Sequence, residues 1–127
     1  MSPPRILLVD DVKLFLELEK SYLHLSHSVV LTAATGEEAL ETARRERPDL
    51  IFLDLYMPGM DGAACCSILK GDPDLSAIPV VMVTTGGRSE EVAQCRAAGC
   101  DGLLTKPVDR VAFLEMVARF IPSGALC

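Results

Sequence analysis

The segment LIFLDLYMPGMDG carries an acidic residue, Asp54, at the end of a run that is otherwise apolar. A strand buried on both faces can solvate a carboxylate only at its ends, so Asp54 must lie in a turn or at a cleft. Asp10 and Asp11 follow the apolar run ILLV, Thr84 ends the run VVMVT, and Lys106 follows GLLT. Carboxylates, a hydroxyl and an ammonium group are thus placed where buried strands end. Together such groups can bind a cation and phosphoryl oxygens.

Short apolar runs and helical patterns alternate along the rest of the chain. Each run is typical of a strand in a parallel sheet, and each is followed by apolar residues at helical spacing. The predicted strands cover residues 5–10, 28–33, 50–54, 78–84 and 101–105, and the predicted helices cover 12–25, 35–48, 61–70, 89–99 and 109–120. Five β-α units in this order predict an α/β fold with helices on both faces of the sheet.

Cap residues and apolar stripes indicate where the helices begin and which sides they bury. Four residues have the position and side chain of an N-terminal cap: Thr35, Asp61, Ser89 and Asp109. The stripes are predicted to bury Leu14, Leu18, Tyr22 and Leu25 in the first helix, and Ala64, Ile68 and Leu69 in the third.

Composition narrows the possible classes of protein. A chain of 127 residues, half of them hydrophobic, fits one domain with one core, and its net charge of −6 argues against direct binding of nucleic acid. Every apolar run is shorter than the roughly 18–20 residues of a membrane span, and the N-terminus does not resemble a signal peptide. Five cysteines without a C-x-x-C pair predict free thiols rather than disulfides or a zinc site. We expect a cytoplasmic domain that does not bind membranes.

The carboxyl ends of parallel strands share one edge of the sheet, and ligands of open α/β sheets bind at that edge. Asp10, Asp11 and Asp54 would repel one another there, and Lys106 would offset one of the three negative charges. An acidic pocket of oxygen ligands suits a hard cation such as Mg²⁺. Because a carboxylate can act as a covalent nucleophile, this chemistry suggests that one of these aspartates accepts a phosphoryl group.

The segments ILLVDD, DLIFLDLYMPGMDG, IPVVMVTT and DGLLTKPVD resemble the receiver domain of bacterial two-component response regulators. The resemblance covers residues 4–121 and leaves 122–127 as a flexible tail or linker stub. It implies a flavodoxin-like (βα)₅ fold with a five-stranded parallel sheet in the order 2-1-3-4-5. It also implies that Asp54 is the phosphoacceptor. The phosphoryl group would come from a sensor histidine kinase or a histidine phosphotransfer protein.

The resemblance further assigns a metal site. Asp11, Asp54 and the main-chain carbonyl of Tyr56 would ligate Mg²⁺, for which Mn²⁺ can substitute. Asp10 would act mainly through metal-bound water.

The same resemblance assigns the phosphoryl contacts. Lys106 would pair with one phosphoryl oxygen, and the Thr84 hydroxyl would swing inward to bond another. The peptide bond between Lys106 and Pro107 would be cis, which positions the lysine.

Three positions depart from the common receiver pattern. Leu103 stands where many receivers carry a Tyr or Phe that rotates on phosphorylation, which predicts a switch without an aromatic reporter. Thr85 stands where small residues are usual, which would narrow access to the site. Tyr56 lies where side chains overhang the path of the hydrolytic water, so we expect it to prolong the phosphorylated state.

The predicted function is a phosphorylation switch read out at the face of helix four, strand five and helix five. That face would bind an output domain or protein, and a phosphorylation-dependent homodimer is a further option. The domain is not expected to be an enzyme beyond Mg²⁺-dependent self-phosphorylation and slow autodephosphorylation.

Rival interpretations fit the sequence less well. A flavin-binding carrier would need phosphate-cradling groups in place of DDV, and a carboxylate-nucleophile phosphatase would need a D-x-D pattern. A pseudo-receiver would bind partners without being phosphorylated. Phe15 is interpreted as a packing residue, with kinase docking as the alternative, and Asp61 as a turn and helix cap.

Overall fold

The computed structural model describes residues 2–121, so the predicted tail at 122–127 lies outside the described residues. Five strands alternate with five helices: β1 (Arg5–Val9), α1 (Lys13–Tyr22), β2 (Val29–Ala33), α2 (Gly36–Glu46), β3 (Leu50–Asp54), α3 (Gly62–Gly71), β4 (Val80–Thr84), α4 (Ser89–Ala97), β5 (Gly102–Thr105) and α5 (Arg110–Phe120). Among these residues, none of the helices has the length and apolar character needed to cross a membrane.

The strands form one parallel sheet in the order β2-β1-β3-β4-β5. This confirms the doubly wound, flavodoxin-like fold. Its inner strands β3 and β4 are buried along their whole length, which explains why their sequences are continuous apolar runs. One core lies between the sheet and helices α2, α3 and α4, and a second lies between the sheet and helices α1 and α5. The carboxyl ends of all five strands therefore meet at one edge.

The predicted inner face of α1 is partly wrong. Leu14 is 73% exposed, and Leu25, which lies beyond the end of the helix at Tyr22, is 81% exposed. The helix instead turns Leu16, Glu19 and Tyr22 toward the core, and Leu23 follows as its buried C-cap. An acidic residue in the middle of the buried face interrupted the apolar pattern from which the face was predicted.

Helix α3 buries its cysteines. Cys65 and Cys66 are fully buried, whereas Ala64 and Ile68, which were predicted to be inside, are exposed; only Leu69 of the predicted set is buried. The buried face of α3 therefore consists of Gly62, Ala63, Cys65, Cys66 and Leu69, and it is offset from the predicted stripe. Burial raises the pKa of both thiols to about 12, which keeps them protonated and inert.

Three of the four predicted caps are confirmed. The side chains of Thr35, Asp61 and Asp109 accept backbone N–H bonds from the third residue beyond, at 3.1, 2.8 and 2.9 Å. Ser89 is not a cap, because Arg88 takes the extended N-cap conformation and Ser89 is already the first residue of α4. This helix ends at Ala97, before the predicted end at Gly99.

We expect the corrected face of α1 to be measurable by comparing two nearby leucines. Leu23→Ala should lower the free energy of unfolding by about 2–5 kcal/mol, because it empties a buried site. Leu25→Ala, the matched control, should change it by less than about 0.5 kcal/mol, because the side chain is exposed. Urea unfolding of both variants makes the test, and equal effects of the two substitutions would contradict this assignment.

Candidate phosphoryl and metal site

The three predicted carboxylates meet at the edge of the sheet. Asp10 directly follows β1, Asp54 ends β3, and oxygens of Asp10, Asp11 and Asp54 lie within 4.8 Å of one another. Asp10 and Asp54 are buried, whereas Asp11 is exposed. The structure thus answers why an acid ends the apolar run of β3: the sheet delivers Asp54 to a shared acidic cluster.

Lys106 contacts two of these carboxylates. Its Nζ lies 2.6 Å from Oδ2 of Asp10 and 3.3 Å from Oδ1 of Asp54, and its side chain is only 5% exposed. When all three carboxylates are ionised, they and this ammonium group together carry about −2, so Lys106 offsets only part of the repulsion. A further cation therefore fits the charge of the cluster.

The backbone and an aromatic ring position Lys106. Its N–H donates to the carbonyl of Thr84 at 2.8 Å, and the bond between Lys106 and Pro107 is cis, as predicted. The Nζ also lies 4.2 Å from the centroid of the Phe15 ring, a distance typical of a cation–π contact. Phe15, interpreted from the sequence as a packing or docking residue, therefore helps to hold the lysine over the site.

Burial and charge disfavour the ionised form of Asp54. Burial, followed by the nearby charge of Asp10, raises the pKa of Asp54 to about 7, although Lys106 acts in the opposite direction.

A fourth carboxyl group, that of Glu19, was missed by the sequence analysis. Burial and the charge of Asp10 raise the pKa of Glu19 to about 8. The acidic cluster is thus more crowded than the sequence indicated.

Asp10 and Asp11 have different local roles. Oδ1 of Asp10 accepts the backbone N–H of Val12 at 2.9 Å, which stabilises the loop before α1. The N-cap position of α1 belongs to Val12, so Asp11 is not the ordinary helix cap that an isolated Asp there would suggest. Its exposed carboxylate remains available to a ligand at the mouth of the site.

Thr84 is buried at the end of β4 and bonds a residue that the sequence analysis missed. Its hydroxyl donates to Oε2 of Glu91 at 2.8 Å. The Tyr56 hydroxyl donates to the same oxygen at 2.7 Å, although the Tyr56 side chain as a whole is about half exposed. These two bonds lower the pKa of Glu91. The bond to Glu91 also raises the pKa of Tyr56.

The other two departures lie after β4 and in β5. Thr85 is exposed directly after β4, and Leu103 is half-buried in β5. Leu103 lines a groove of about 180 Å³ with Val92, Arg96 and Cys100. An aliphatic side chain therefore lies beside a groove between α4 and β5.

The donor set fits a hard divalent cation. Mg²⁺ prefers carboxylate, carbonyl and water oxygens, and the cluster offers carboxylate oxygens from Asp10, Asp11 and Asp54. The uncompensated negative charge and the exposed position of Asp11 both favour such an ion. The predicted contribution of the Tyr56 carbonyl stays a prediction.

Comparisons with known proteins point to the same family. The family model for the response regulator receiver domain matches residues 6–118. The chain belongs to the response regulator receiver domains. It is 42% identical over 114 residues to the response regulator PleD of Caulobacter vibrioides, and the match covers 89% of this chain but only 25% of PleD. The chain thus spans about a quarter of the length of that relative.

Other relatives of this receiver domain are of similar size. The polar-differentiation response regulator DivK of Brucella anthropi is 30% identical over 119 residues, which are 94% of this chain and 97% of DivK. The receiver domain of the sensor histidine kinase PA1611 of Pseudomonas aeruginosa is 25% identical, with a TM-score of 0.87 over 96% of this chain and 100% of that one. That structure is described with a magnesium ion coordinated in its active-site cleft.

The raised pKa of Asp54 predicts a pH-dependent gain from removing its charge. An unfolded Asp ionises near 3.8, whereas folded Asp54 ionises near 7, so the wild type loses stability as pH rises between these values. Asp54→Asn cannot ionise, and it should therefore gain on the order of 2 kcal/mol relative to the wild type between pH 5 and pH 8. Urea unfolding with a chelator present measures the difference.

Asp61→Asn is the control for this test, because it makes the same change outside the cluster and Asn can still cap α3. A difference between Asp54→Asn and the wild type that stays constant from pH 5 to pH 8 would contradict the assigned electrostatics.

Proposed function

We propose that this receiver domain is a phosphorylation switch in which Asp54 accepts a phosphoryl group from a phosphohistidine. The donor would be a sensor histidine kinase or a histidine phosphotransfer protein. The observation that carries the proposal is the meeting of Asp10, Asp11 and Asp54 within 4.8 Å, with Lys106 bonded to two of them. Structural carboxylates far from a ligand would not be expected to crowd together in this way.

Mg²⁺, or Mn²⁺ in its place, would be held by Asp11, Asp54 and the carbonyl of Tyr56, with Asp10 acting mainly through bound water. When bound, the ion supplies positive charge that offsets the negative charge of the carboxylates and of the phosphoryl oxygens. The all-oxygen donor set and the uncompensated charge of the cluster support this assignment.

The residues of the chain supply the remaining chemistry. A carboxylate oxygen of Asp54 forms a bond to phosphorus while the P–N bond of the phosphohistidine breaks, and the imidazole nitrogen keeps the electron pair. Lys106 already lies 3.3 Å from Asp54, so it can follow a phosphoryl oxygen with a small movement. Thr84 would bond a second phosphoryl oxygen after its hydroxyl turns away from Glu91.

The proposed readout is the face formed by α4, β5 and α5. This face includes the groove beside Leu103, and it would bind an output domain or protein or support a phosphorylation-dependent homodimer. The net charge of −6 supports protein partners rather than nucleic acid. We place the domain in the cytoplasm, and we limit its own reactions to Mg²⁺-dependent self-phosphorylation and slow autodephosphorylation.

Phosphorylation of Asp54 can be tested with a small phosphodonor. Acetyl phosphate and Mg²⁺ should add one phosphoryl group to the wild type by intact-mass spectrometry, and a chelator should strongly slow the reaction. Asp54→Asn should abolish the added mass, whereas Asp61→Asn should retain it because its side chain caps α3. A wild type that gains no mass, or an Asp54→Asn variant that gains it equally, would instead favour a pseudo-receiver that binds partners without phosphorylation.

The position of Tyr56 predicts an effect on the lifetime of the phosphorylated state. Its ring follows the acceptor by two residues and is held by Glu91, so we expect it to shield the path of the hydrolytic water. Tyr56→Ala should lose phosphate several-fold faster than the wild type. Tyr56→Phe keeps the ring and should lie between the two. Dephosphorylation followed by mass spectrometry makes the comparison, and an Ala variant no faster than the wild type would refute the shielding role.

A further inference from the structure

The carboxylate of Glu91 accepts hydrogen bonds from two hydroxyl groups. Thr84, at the end of β4, and Tyr56, in the loop after β3, both donate to Oε2, at 2.8 and 2.7 Å. Glu91 is buried in the first turn of α4, whereas its neighbour Glu90 is exposed. The bonds therefore tie the beginning of α4 to the strand ends that surround the acidic cluster.

The loop before α4 is shaped to let this carboxylate approach. A Cβ atom at Gly86 would lie 2.1 Å from Oε1 of Glu91, so a side chain at this position would displace the carboxylate. The N–H of Gly86 also donates to the Thr84 hydroxyl oxygen at 3.3 Å. The loop thus packs Gly86 against Thr84 and Glu91. This packing requires a residue without a side chain at position 86.

The Thr84 hydroxyl has one proton, so it can donate to Glu91 or to a phosphoryl oxygen on Asp54, but not to both. We propose that Glu91 is a positioning residue that holds the Thr84 hydroxyl, and with it the start of α4, in the unphosphorylated arrangement and releases both on phosphorylation. This inference rests on the proposed function. Under this proposal, the phosphoryl group competes with Glu91 for the Thr84 hydroxyl. The switch then works without an aromatic reporter, which Leu103 cannot provide.

The consequences of release follow from the same contacts. Once Thr84 turns away, Glu91 keeps its bond to Tyr56 but loses its tie to β4. Because the Tyr56 side chain is about half exposed, the first turn of α4 can then shift together with it, and α4 belongs to the proposed output face. Because the bond to Glu91 must break before Thr84 can bond the phosphoryl group, the domain resists activation by the free energy of that bond.

The competition can be measured with beryllofluoride, a stable analogue of a phosphoryl group, in the presence of Mg²⁺. Glu91→Ala should bind it about fivefold or more tightly than the wild type, because Thr84 no longer has to leave Glu91. Glu90→Ala is the matched control: both acids lie in the first turn of α4 and interact alike with the helix dipole. Its affinity should stay within about twofold of the wild type.

A second variant, Gly86→Ala, disturbs the contact between Thr84 and Glu91 from the loop before α4. Gly86→Ala should displace the Glu91 carboxylate and strengthen beryllofluoride binding as Glu91→Ala does. The backbone of Gly86 lies outside the left-handed region, so its conformation suits Ala and the clash falls on the Glu91 side chain. In the unphosphorylated protein, NMR titration of Tyr56 should show a lower pKa in both variants but not in Glu90→Ala, because the bond to Glu91 raises that pKa. A merely structural role of Glu91 would not predict tighter binding of the analogue.

The outcomes separate this inference from the proposed function. A wild type that binds no beryllofluoride would overturn the proposed function and, with it, the role of Glu91. A wild type that binds it through Asp54, together with Glu91→Ala and Gly86→Ala variants that bind no more tightly, would overturn the role of Glu91 alone. Equally stronger beryllofluoride binding by Glu90→Ala would also overturn the role of Glu91. The effect would then come from removing a negative charge from α4 and not from the bond to Thr84.

Discussion

The repulsion among Asp10, Asp11 and Asp54, only partly offset by Lys106, is the interaction on which the arrangement of this domain depends. Burial of two of these carboxylates strengthens that repulsion, and it leaves the pKa of Asp54 well above its ordinary range. A fold that needed only stability would be expected to disperse such charges. The parallel sheet instead brings them to one edge, because β1, which Asp10 follows, and β3, which ends in Asp54, are direct neighbours.

The surrounding residues act on this cluster in two layers. In the first, the backbone hydrogen bond from Lys106 to Thr84 and the ring of Phe15 hold Lys106 against Asp10 and Asp54. In the second, Glu91 binds the hydroxyls of Thr84 and Tyr56, which connects the cluster to α4. The first layer sets the charge of the site, and the second connects the site to a helix at the surface. Under the proposed function, a change in charge at Asp54 would reach the proposed output face through these contacts.

Much of this could be predicted from the sequence, because strand ends are local features. Asp54 and Thr84 end apolar runs, and the topology of a parallel sheet then places them at one edge without further information. Lys106, just after a short apolar run, could be placed there by the same reasoning. The identities of the residues that surround this edge were harder to predict, since they depend on how helices pack.

The residues that were missed show why packing limits such predictions. Glu19 and Glu91 are acids on helices, where solvent exposure is the ordinary expectation. Their burial depends on contacts with Asp10, Thr84 and Tyr56 that are distant in sequence. The inner faces of α1 and α3 were misjudged for a related reason. A buried acid and two small cysteines replaced the large apolar side chains from which a buried face is usually recognised.

We propose that the acidic cluster holds a divalent cation, and calorimetric titration with Mg²⁺ near pH 7 measures this binding. The titration is run in two buffers with different heats of ionisation. Because the pKa of Asp54 is raised to about 7, part of the protein carries a proton there that a bound cation must expel. We predict that one Mg²⁺ binds per chain and that the heat of binding differs between the two buffers because protons are released. No binding, or binding with the same heat in both buffers, would contradict it.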